Sequence, residues 1–237
     1  MIMSVLRHPV RNSMHSATSC QQHGFTLIEV AIVLVIMGFI LGGLFAPLST
    51  QYENSRRSES NETLKQIVDA LYGYALVNGR LPCPDSNGNG QENLSGNNCA
   101  ALGGSLPWTT LANGQNDAWG QNFGYRIAAD FADTVDGTGC GTITPGVSFE
   151  LCSTGNITIL DQSGGNLVAQ NIPAVIFSTG KNWASSTSAD EIENTDGDAV
   201  FVSKIYSNVA GAEFDDLIVW IAPTILKTRM VDAGRLP

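Results

Sequence analysis

The feature that most constrains this chain is a long apolar run over residues 25–46, in which Glu29 is the only charged side chain. A helix that crosses a bilayer needs about 20 apolar residues, and this run is long enough. A cleaved secretory signal has a shorter apolar core, of roughly 7–15 residues, followed by a small-residue cleavage site. Here the run ends in LFAPLS, which lacks that pattern. The sequence therefore predicts that residues 25–46 are retained as a transmembrane helix.

The charges on either side of the run indicate its orientation. Arg7 and Arg11 precede it, and no acidic residue occurs among the first 24 positions. Basic flanks remain on the cytoplasmic side of a membrane. Arg56 and Arg57 follow the run and weaken this bias without reversing it. We therefore expect a single pass, with the N-terminus in the cytoplasm and the rest of the chain outside.

Glu29 is unusual because a carboxylate is costly inside a bilayer, by a few kcal/mol or more at its centre. One interpretation is that Glu29 lies near the interface and reaches water. The interpretation we favour is that it meets a positive charge supplied by another group, because intramembrane ionisable residues are rare and usually functional.

The string G-F-T-L-I-E-V, from Gly24, resembles the N-terminus of type IV pilins and of the pseudopilins of type II secretion. The resemblance implies that residues 1–24 are a leader, that a prepilin peptidase cuts between Gly24 and Phe25 in the cytoplasm, and that Phe25 is then N-methylated. Gln21, Gln22 and His23 stand where the family usually has a basic residue. Met14 offers an alternative start that would leave a shorter leader.

The resemblance also implies a role for Glu29. Cleavage exposes a cationic amine on Phe25, and in a filament that amine would pair with Glu29 of a neighbouring subunit. Two charges that are costly alone in a low dielectric become tolerable as a pair, which fixes register more than it adds stability. The implied partners are the peptidase, other pilin or pseudopilin subunits and the inner-membrane assembly platform. The implied location is the inner membrane, with a periplasmic head that becomes part of a periplasmic or extracellular filament.

The pattern beyond the membrane run predicts that the helix continues. Residues 49–77 contain no proline, and apolar residues recur at helical spacing at Leu64, Ile67, Val68, Leu71 and Ala75. Asn78 and Gly79 give a C-terminal signal. We expect one helix over about 25–77, kinked at Pro47. Its half over 47–78 is amphipathic and should pack on a globular head.

The head, residues 79–237, changes to short strands and polar loops. We predict strands at 123–129, 147–152, 157–160, 174–178, 199–203 and 217–222, and loops at 85–98 and 179–198. Without repeated crossover helices, an antiparallel sheet is the natural result. The predicted fold is therefore α+β, with a long transmembrane pilin helix packed on an antiparallel sheet head with long loops.

The string DAWGQNFGYRI, from Asp117, resembles the D-P-W-G-x-x-Y segment of the major pseudopilins, with Ala118 in place of the proline. We interpret Trp119 as packing under the first strand and Gly120 as allowing the turn. Near the C-terminus, in FDDLIVWIAP, Asp215 and Asp216 are candidates for backbone capping in preference to metal binding.

Cysteine usage agrees with a periplasmic head. Cys20 lies in the presumed leader, so the mature chain keeps four cysteines, and an even number in this compartment indicates disulfides. Of three possible connectivities we prefer Cys83–Cys99 with Cys140–Cys152, because these pairs close local loops. Buried free thiols are the alternative. A zinc site is disfavoured because no C-x-x-C spacing occurs and no histidine follows His23.

Several classes of function are excluded or disfavoured. A net charge of −10 argues against a nucleic-acid binder. A mature chain without histidine cannot use Ser-His-Asp or Cys-His catalysis. The string FSTGKN, from Phe177, lacks the first glycine of a phosphate loop and has Asn182 where the magnesium-binding hydroxyl belongs. A glycosidase-like carboxylate pair stays open, but no pattern marks one. We therefore predict a non-enzymatic subunit, a minor pilin or pseudopilin, with an adhesin or binding tip as the alternative.

Any metal in the head must be a hard ion with oxygen ligands, which favours calcium. Two loops offer such ligands. In DSNGNGQEN, Asp85, Asn87 and Asn89 resemble the start of an EF-hand loop, but Gly96 stands where the closing glutamate belongs. We favour the second loop, ADEIENTDGDA, which lies roughly where the major pseudopilins carry a calcium loop. Its candidate ligands are Asp190, Glu191, Asn194, Asp196 and Asp198.

Overall fold

A computed structural model describes residues 24–138 and 140–237, with the side chains of 42–48 left out of the description. The predicted leader up to His23, including Cys20, lies outside the described residues. The chain divides into two compact units, Met1–Ser49 and Thr50–Pro237, and each is considered by itself below.

The long helix predicted from the sequence is present. Helix α1 runs over Leu27–Asn78, against the predicted 25–77. It ends at Gly79, whose positive φ of 72° favours glycine and whose N–H donates to the carbonyl of Ala75 at 2.8 Å. A β-carbon at Gly79 would run into the carbonyl oxygen of Gly146, so the close approach also requires glycine. The kink at Pro47 remains a prediction.

Within the described residues, no helix is both long enough and apolar enough to cross a membrane. The side chains of residues 42–46 of the predicted span lie outside the description. The span over 25–46 therefore remains a prediction.

The second unit contains short elements joined by long loops. In chain order its described elements after α1 are β1 (Leu94–Ser95), β2 (Asn98–Cys99), β3 (Gly103–Ser105), α2 (Trp108–Leu111), β4 (Gly124–Ile127), a 3-10 turn (Ala129–Phe131), β5 (Ile157–Leu160), β6 (Leu167–Ile172), β7 (Ala174–Ser178), α3 (Ala189–Glu193), β8 (Val200–Val202), β9 (Leu217–Trp220) and α4 (Pro223–Asp232).

The strands form a main sheet and two smaller ones. The main sheet has the order β3-β4-β7-β9, and all of its pairs are antiparallel. A second sheet has the order β6-β5-β8. There β5 and β6 are antiparallel, but β5 and β8 are parallel, a pairing that the sequence did not predict. β1 and β2 form a small hairpin on their own.

One predicted strand is absent, because residues 147–152 are irregular. Val147 and Phe149 are buried, but the polar residues Ser148 and Glu150 are buried as well, so burial does not alternate here. The backbone of this segment nevertheless bonds to loops, since Ser148 N–H donates to Gly79 O at 3.0 Å and Thr138 N–H donates to Ser148 O at 2.8 Å. The alternating residues 147–150 therefore belong to a wholly buried segment without a neighbouring strand. The strands at 157–160 and 174–178 match the prediction at both ends.

The main sheet lies between two apolar cores, and β7 contributes to both. Ala174 and Ile176 face the larger core, while Val175 faces the smaller one. The predicted helical stripe fills the larger core, in which Leu64, Ile67, Leu71 and Ala75 are fully buried and Val68 is partly buried. The loop after β7 carries α3 and comes to lie beside the start of β9.

Candidate functional site

The predicted cleavage segment lies just before the helix begins. Gly24 and Phe25 precede α1, and the Phe25 side chain is 84% exposed. A β-carbon built on Gly24 would find no other atom within 4 Å. In this unit the peptide bond between the two residues is therefore open to an enzyme.

Glu29 and Thr26 cap the first turn of α1. Glu29 N–H donates to Thr26 Oγ1 at 3.3 Å, and Thr26 N–H donates to a carboxylate oxygen of Glu29 at 3.4 Å. This reciprocal pattern is a capping box, which satisfies backbone donors that a helix start leaves free. The sequence signal was present as Thr-x-x-Glu before an apolar run, but sequence reasoning assigned Glu29 to assembly alone.

The helix behind this cap exposes apolar side chains on every side. Each large apolar residue described between Phe25 and Leu41 is exposed, with values from 47% at Val30 to 89% at Leu27. Apolar surface of this extent requires a cover, either lipid or protein.

The four cysteines of the head lie in the two preferred pairs. Cys83–Cys99 has a Cα–Cα distance of 5.3 Å, and Cys140–Cys152 has one of 6.1 Å. Both pairs join positions close in sequence and tie down loops of the head. In the first pair, Cys83 is fully buried.

The five candidate calcium ligands do not form one site. Asp190 forms an ion pair with Lys204 and accepts a hydrogen bond from Ser163 N–H at 2.6 Å. Asp196 and Asp198 lie with Glu193 in a largely exposed cluster at the surface. Asn194, another of the five candidates, forms hydrogen bonds with Asp216 and with the backbone of Val202.

Glu191 instead lies beside two residues from the start of β9. One carboxylate oxygen from each of Glu191, Asp215 and Asp216 lies within 4.8 Å of the other two. The site is buried, with Glu191 0% and Asp216 3% exposed. Oxygens on opposite sides of a calcium ion are separated by about this distance, since each Ca–O bond is about 2.3–2.6 Å.

Hydrogen bonds position these carboxylates but leave several oxygens free. Asn182 Nδ2 donates to both Glu191 oxygens, at 2.9 and 3.1 Å, and Asp215 N–H donates to Glu191 Oε1 at 3.0 Å. Asn194 Nδ2 donates to Asp216 Oδ2 at 2.7 Å, while Asn194 Oδ1 accepts from Val202 N–H. Among the described residues, three buried oxygens find no partner: Asn182 Oδ1, Asp215 Oδ1 and Asp216 Oδ1.

The electrostatics of this cluster are unfavourable without a cation. Burial raises the pKa of Asp216 to about 7, because desolvation and the neighbouring Glu191 and Asp215 outweigh the hydrogen bond from Asn194. Burial also raises the pKa of Glu191 and of Asp215. Native proteins rarely leave buried polar atoms unpaired. The arrangement therefore has the chemistry of a site for a hard cation.

Sequence reasoning assigned Asp215 and Asp216 to capping and missed their place in this cluster. The signal available in the sequence was this adjacent pair of acidic residues, which directly precedes an apolar strand.

In the other candidate loop, the Asp85 carboxylate accepts hydrogen bonds from the N–H groups of Asn87, Gly88 and Gly90, so it closes the loop through the backbone.

The DAWG segment has a structural role. Asp117 accepts from Trp119 N–H and from Ser178 Oγ, Trp119 packs partly buried against the larger core, and its Nε1 donates to Glu53 of α1 at 3.3 Å. Gly120 has a φ of 84°, as expected for the turn residue.

Comparison with known proteins adds to this description at the N-terminus. Residues 20–45 match the model of the prokaryotic N-terminal methylation motif. No curated protein and no solved structure matches the chain. The matched stretch contains the exposed Gly24–Phe25 bond and the capped helix start with Glu29. The chain therefore carries the prepilin signature of the type IV pilins and pseudopilins.

Proposed function

We propose that this protein is a structural subunit, a minor pilin or pseudopilin, that prepilin peptidase cuts between Gly24 and Phe25 and that assembles through its N-terminal helix. The observation that carries the proposal is the methylation motif over residues 20–45. The exposed cleavage segment and the uncovered apolar helix behind it support the same function. A structural subunit of this kind needs no catalytic group of its own.

Residues 25–46 anchor the subunit in the inner membrane before assembly, with the N-terminus in the cytoplasm and the head in the periplasm. In the filament the same apolar surface packs against neighbouring subunits. The new amine of Phe25 pairs with Glu29 of a neighbour, while Glu29 also caps its own helix. The assembly platform would transfer the processed subunit from the inner membrane to the filament.

Within this family of functions, we propose a minor subunit. An adhesin at a filament tip is the alternative. Immunogold labelling of filaments separates the two, since a tip adhesin occurs only at ends.

The head also binds a hard divalent cation, for which calcium is the best fit. The ligands would be Glu191, Asp215 and Asp216, with Asn182 Oδ1 completing an all-oxygen set. The support is the group of three buried oxygens without partners beside three carboxylates. When bound, the ion neutralises the carboxylates and joins the loop after β7 to the start of β9.

Processing is the direct test of the main proposal. The full chain is expressed with a prepilin peptidase, and the mature N-terminus is read by mass spectrometry. We expect an N-methylated Phe25, and we expect Gly24→Ile to leave the precursor uncut. His23→Ala, which changes the residue next to Gly24, should be processed normally. A different mature N-terminus, or normal cutting of Gly24→Ile, would contradict the proposal.

A further inference from the structure

A cleft of about 600 Å³ opens in the head, and no carboxylate of the cation cluster is among its lining residues. Its walls are strands β3, β4 and β7 of the main sheet, β8 of the second sheet and the loop before β8. Volumes of this size are typical of sites for small molecules. Its lining includes Gly103, Arg126, Phe177, Gly197 and Phe201.

A glycine keeps the floor of the cleft open. Gly103 of β3 pairs directly with Arg126 of β4 in the antiparallel sheet, so side chains at the two positions share one face. A β-carbon at position 103 would lie 3.3 Å from Arg126 Nη1. Any larger side chain there would therefore occupy the space beside the guanidinium.

Arg126 presents one unused edge of its guanidinium. Its Nη1 donates to Gly197 O at 2.7 Å, which fixes the group in place. Its Nε is buried and has no partner among the described residues. Within the same part of the chain, no acceptor is found for Nη2 and no carboxylate lies within ion-pair distance of Arg126. Nε–H and one Nη2–H point the same way, and this pair of donors matches the two oxygens of a carboxylate.

Another part of the cleft lining is aromatic. The rings of Phe177 and Phe201 pack together in the cleft with centroids 5.4 Å apart. Asp198 also lines the cleft, but its Oδ1 is taken by Val200 N–H at 2.6 Å. The site thus combines one cationic fork with an aromatic wall.

We propose that this cleft binds an organic carboxylate that carries an apolar group. The carboxylate takes the Nε–Nη2 edge of Arg126, and the apolar group lies against Phe177 and Phe201. The ligand is either a free organic acid or the C-terminal residue of a peptide, because both have this chemistry. The proposal is independent of processing, assembly and cation binding.

Fluorine NMR of 3-(4-fluorophenyl)propionate tests it with the full chain in detergent micelles. We expect saturable binding to the wild type and a loss of about tenfold or more in affinity for Arg126→Met. Arg126→Lys keeps the charge without the fork and should be intermediate, while Gly103→Val should block the site. Arg56→Met makes the same change at an exposed arginine and should bind like the wild type.

Three competitors define the ligand. The amide 3-phenylpropionamide should not displace the probe, because it lacks the second anionic oxygen. Because 3-phenylpropionate differs from the probe only by the fluorine, it should compete; tighter competition by N-acetyl-phenylalanine than by 3-phenylpropionate indicates a peptide end, and the reverse order indicates a free acid. The proposal is overturned by absence of saturable binding, by equal binding to Arg126→Met with an unchanged melting curve, or by equal competition from the amide.

Discussion

Thr26 and Glu29 hydrogen-bond each other reciprocally at the first turn of α1, with Glu29 N–H donating to Thr26 Oγ1 and Thr26 N–H donating to the Glu29 carboxylate. The carboxylate proposed to pair with a neighbour's amine therefore already has a role in its own chain. Loss of the side chain would remove the cap and the charge together. The two roles can be separated, because glutamine also completes a capping box but carries no charge.

Glu29→Gln should keep the helix start intact and still assemble poorly beside wild-type subunits, because it cannot pair with the Phe25 amine. Glu29→Val should insert into the membrane, since a charge is removed, and should lose both the cap and assembly. Thr26→Val should weaken the cap, by about 1 kcal/mol, and leave the charge in place. The measurement is the fraction of tagged variant in purified filaments.

Thr26→Val is the control for the cap. Incorporation of Glu29→Gln at the wild-type level would contradict the pairing with the amine, whereas failure of Thr26→Val at the level of Glu29→Val would assign the defect to the helix start.

Calcium should raise the melting temperature of the full chain in detergent, and a chelator should lower it. Binding to the folded state alone stabilises by mass action, by about 2.7 kcal/mol at a concentration 100 times Kd. Asp215→Asn combined with Asp216→Asn should abolish the response, because two of the three carboxylates in the cluster lose their charge. The response is measured by circular dichroism across millimolar calcium.

The exposed cluster provides a matched control. Asp196→Asn combined with Asp198→Asn removes the same charge from the surface and should keep the response. If this control lost the response and the buried variant kept it, the ligands would be those of the surface loop. An unchanged melting temperature in the wild type would remove the cation proposal.

The sequence predicted α1 well because its pattern is local and continuous. The strands at 157–160 and 174–178 were also predicted well, because the short apolar runs there are both buried and paired with neighbouring strands. Residues 147–152 show the limit of such reasoning, since the alternation there predicts neither which side chains are buried nor what the backbone bonds to. β5–β8 pairing depends on long-range topology that no local pattern contains.

The cation cluster could not be assembled from the sequence for a related reason. Glu191 and Asp215 lie 24 positions apart and meet only because the loop after β7 folds back to the start of β9. When candidate ligands were grouped along one loop, Asp190 was included, but in the structure its carboxylate forms an ion pair with Lys204. The capping box, in contrast, is a local pattern and was available in the sequence.

Removing one partner of the Arg80–Glu92 pair should destabilise the head by about 3–5 kcal/mol, because a largely buried charge is left alone. The pair is bidentate, with both bonds at 2.7 Å, and Glu92 also accepts from Tyr74 Oη and Cys83 N–H. Arg80→Met should therefore cost more than Arg80→Met combined with Glu92→Leu. Urea unfolding of the single and double variants measures the difference.

The exposed pair Lys65–Glu62, at 3.5 Å, is the control for this cycle. Surface ion pairs contribute about 0–1 kcal/mol, so Lys65→Met should have little effect. If Lys65→Met and Arg80→Met lost the same free energy of unfolding, the burial of the Arg80–Glu92 pair would add nothing to stability.

The same pair predicts a pH dependence of stability. Burial tends to raise the pKa of Glu92, but the hydrogen bonds from Arg80, Tyr74 and Cys83 outweigh it, so the pKa lies below the ordinary value. A group with a lowered folded-state pKa stabilises fully above its unfolded pKa, about 4.3 for glutamate. This stabilisation is lost as the pH falls through the lower folded-state value.

Glu92→Gln should therefore be less stable than the wild type at pH 7. The gap should begin to close as the pH falls below about 4.3, where the unfolded chain takes up a proton, and should vanish below the lower folded-state pKa, where Glu92 of the folded protein becomes neutral like glutamine. Glu62→Gln makes the same change at an exposed site and should track the wild type at every pH. The measurement is the free energy of unfolding in urea between pH 3 and pH 7. A gap that stayed constant over this range would mean that the charge of Glu92 contributes nothing, and that its hydrogen-bonding shape alone stabilises the head.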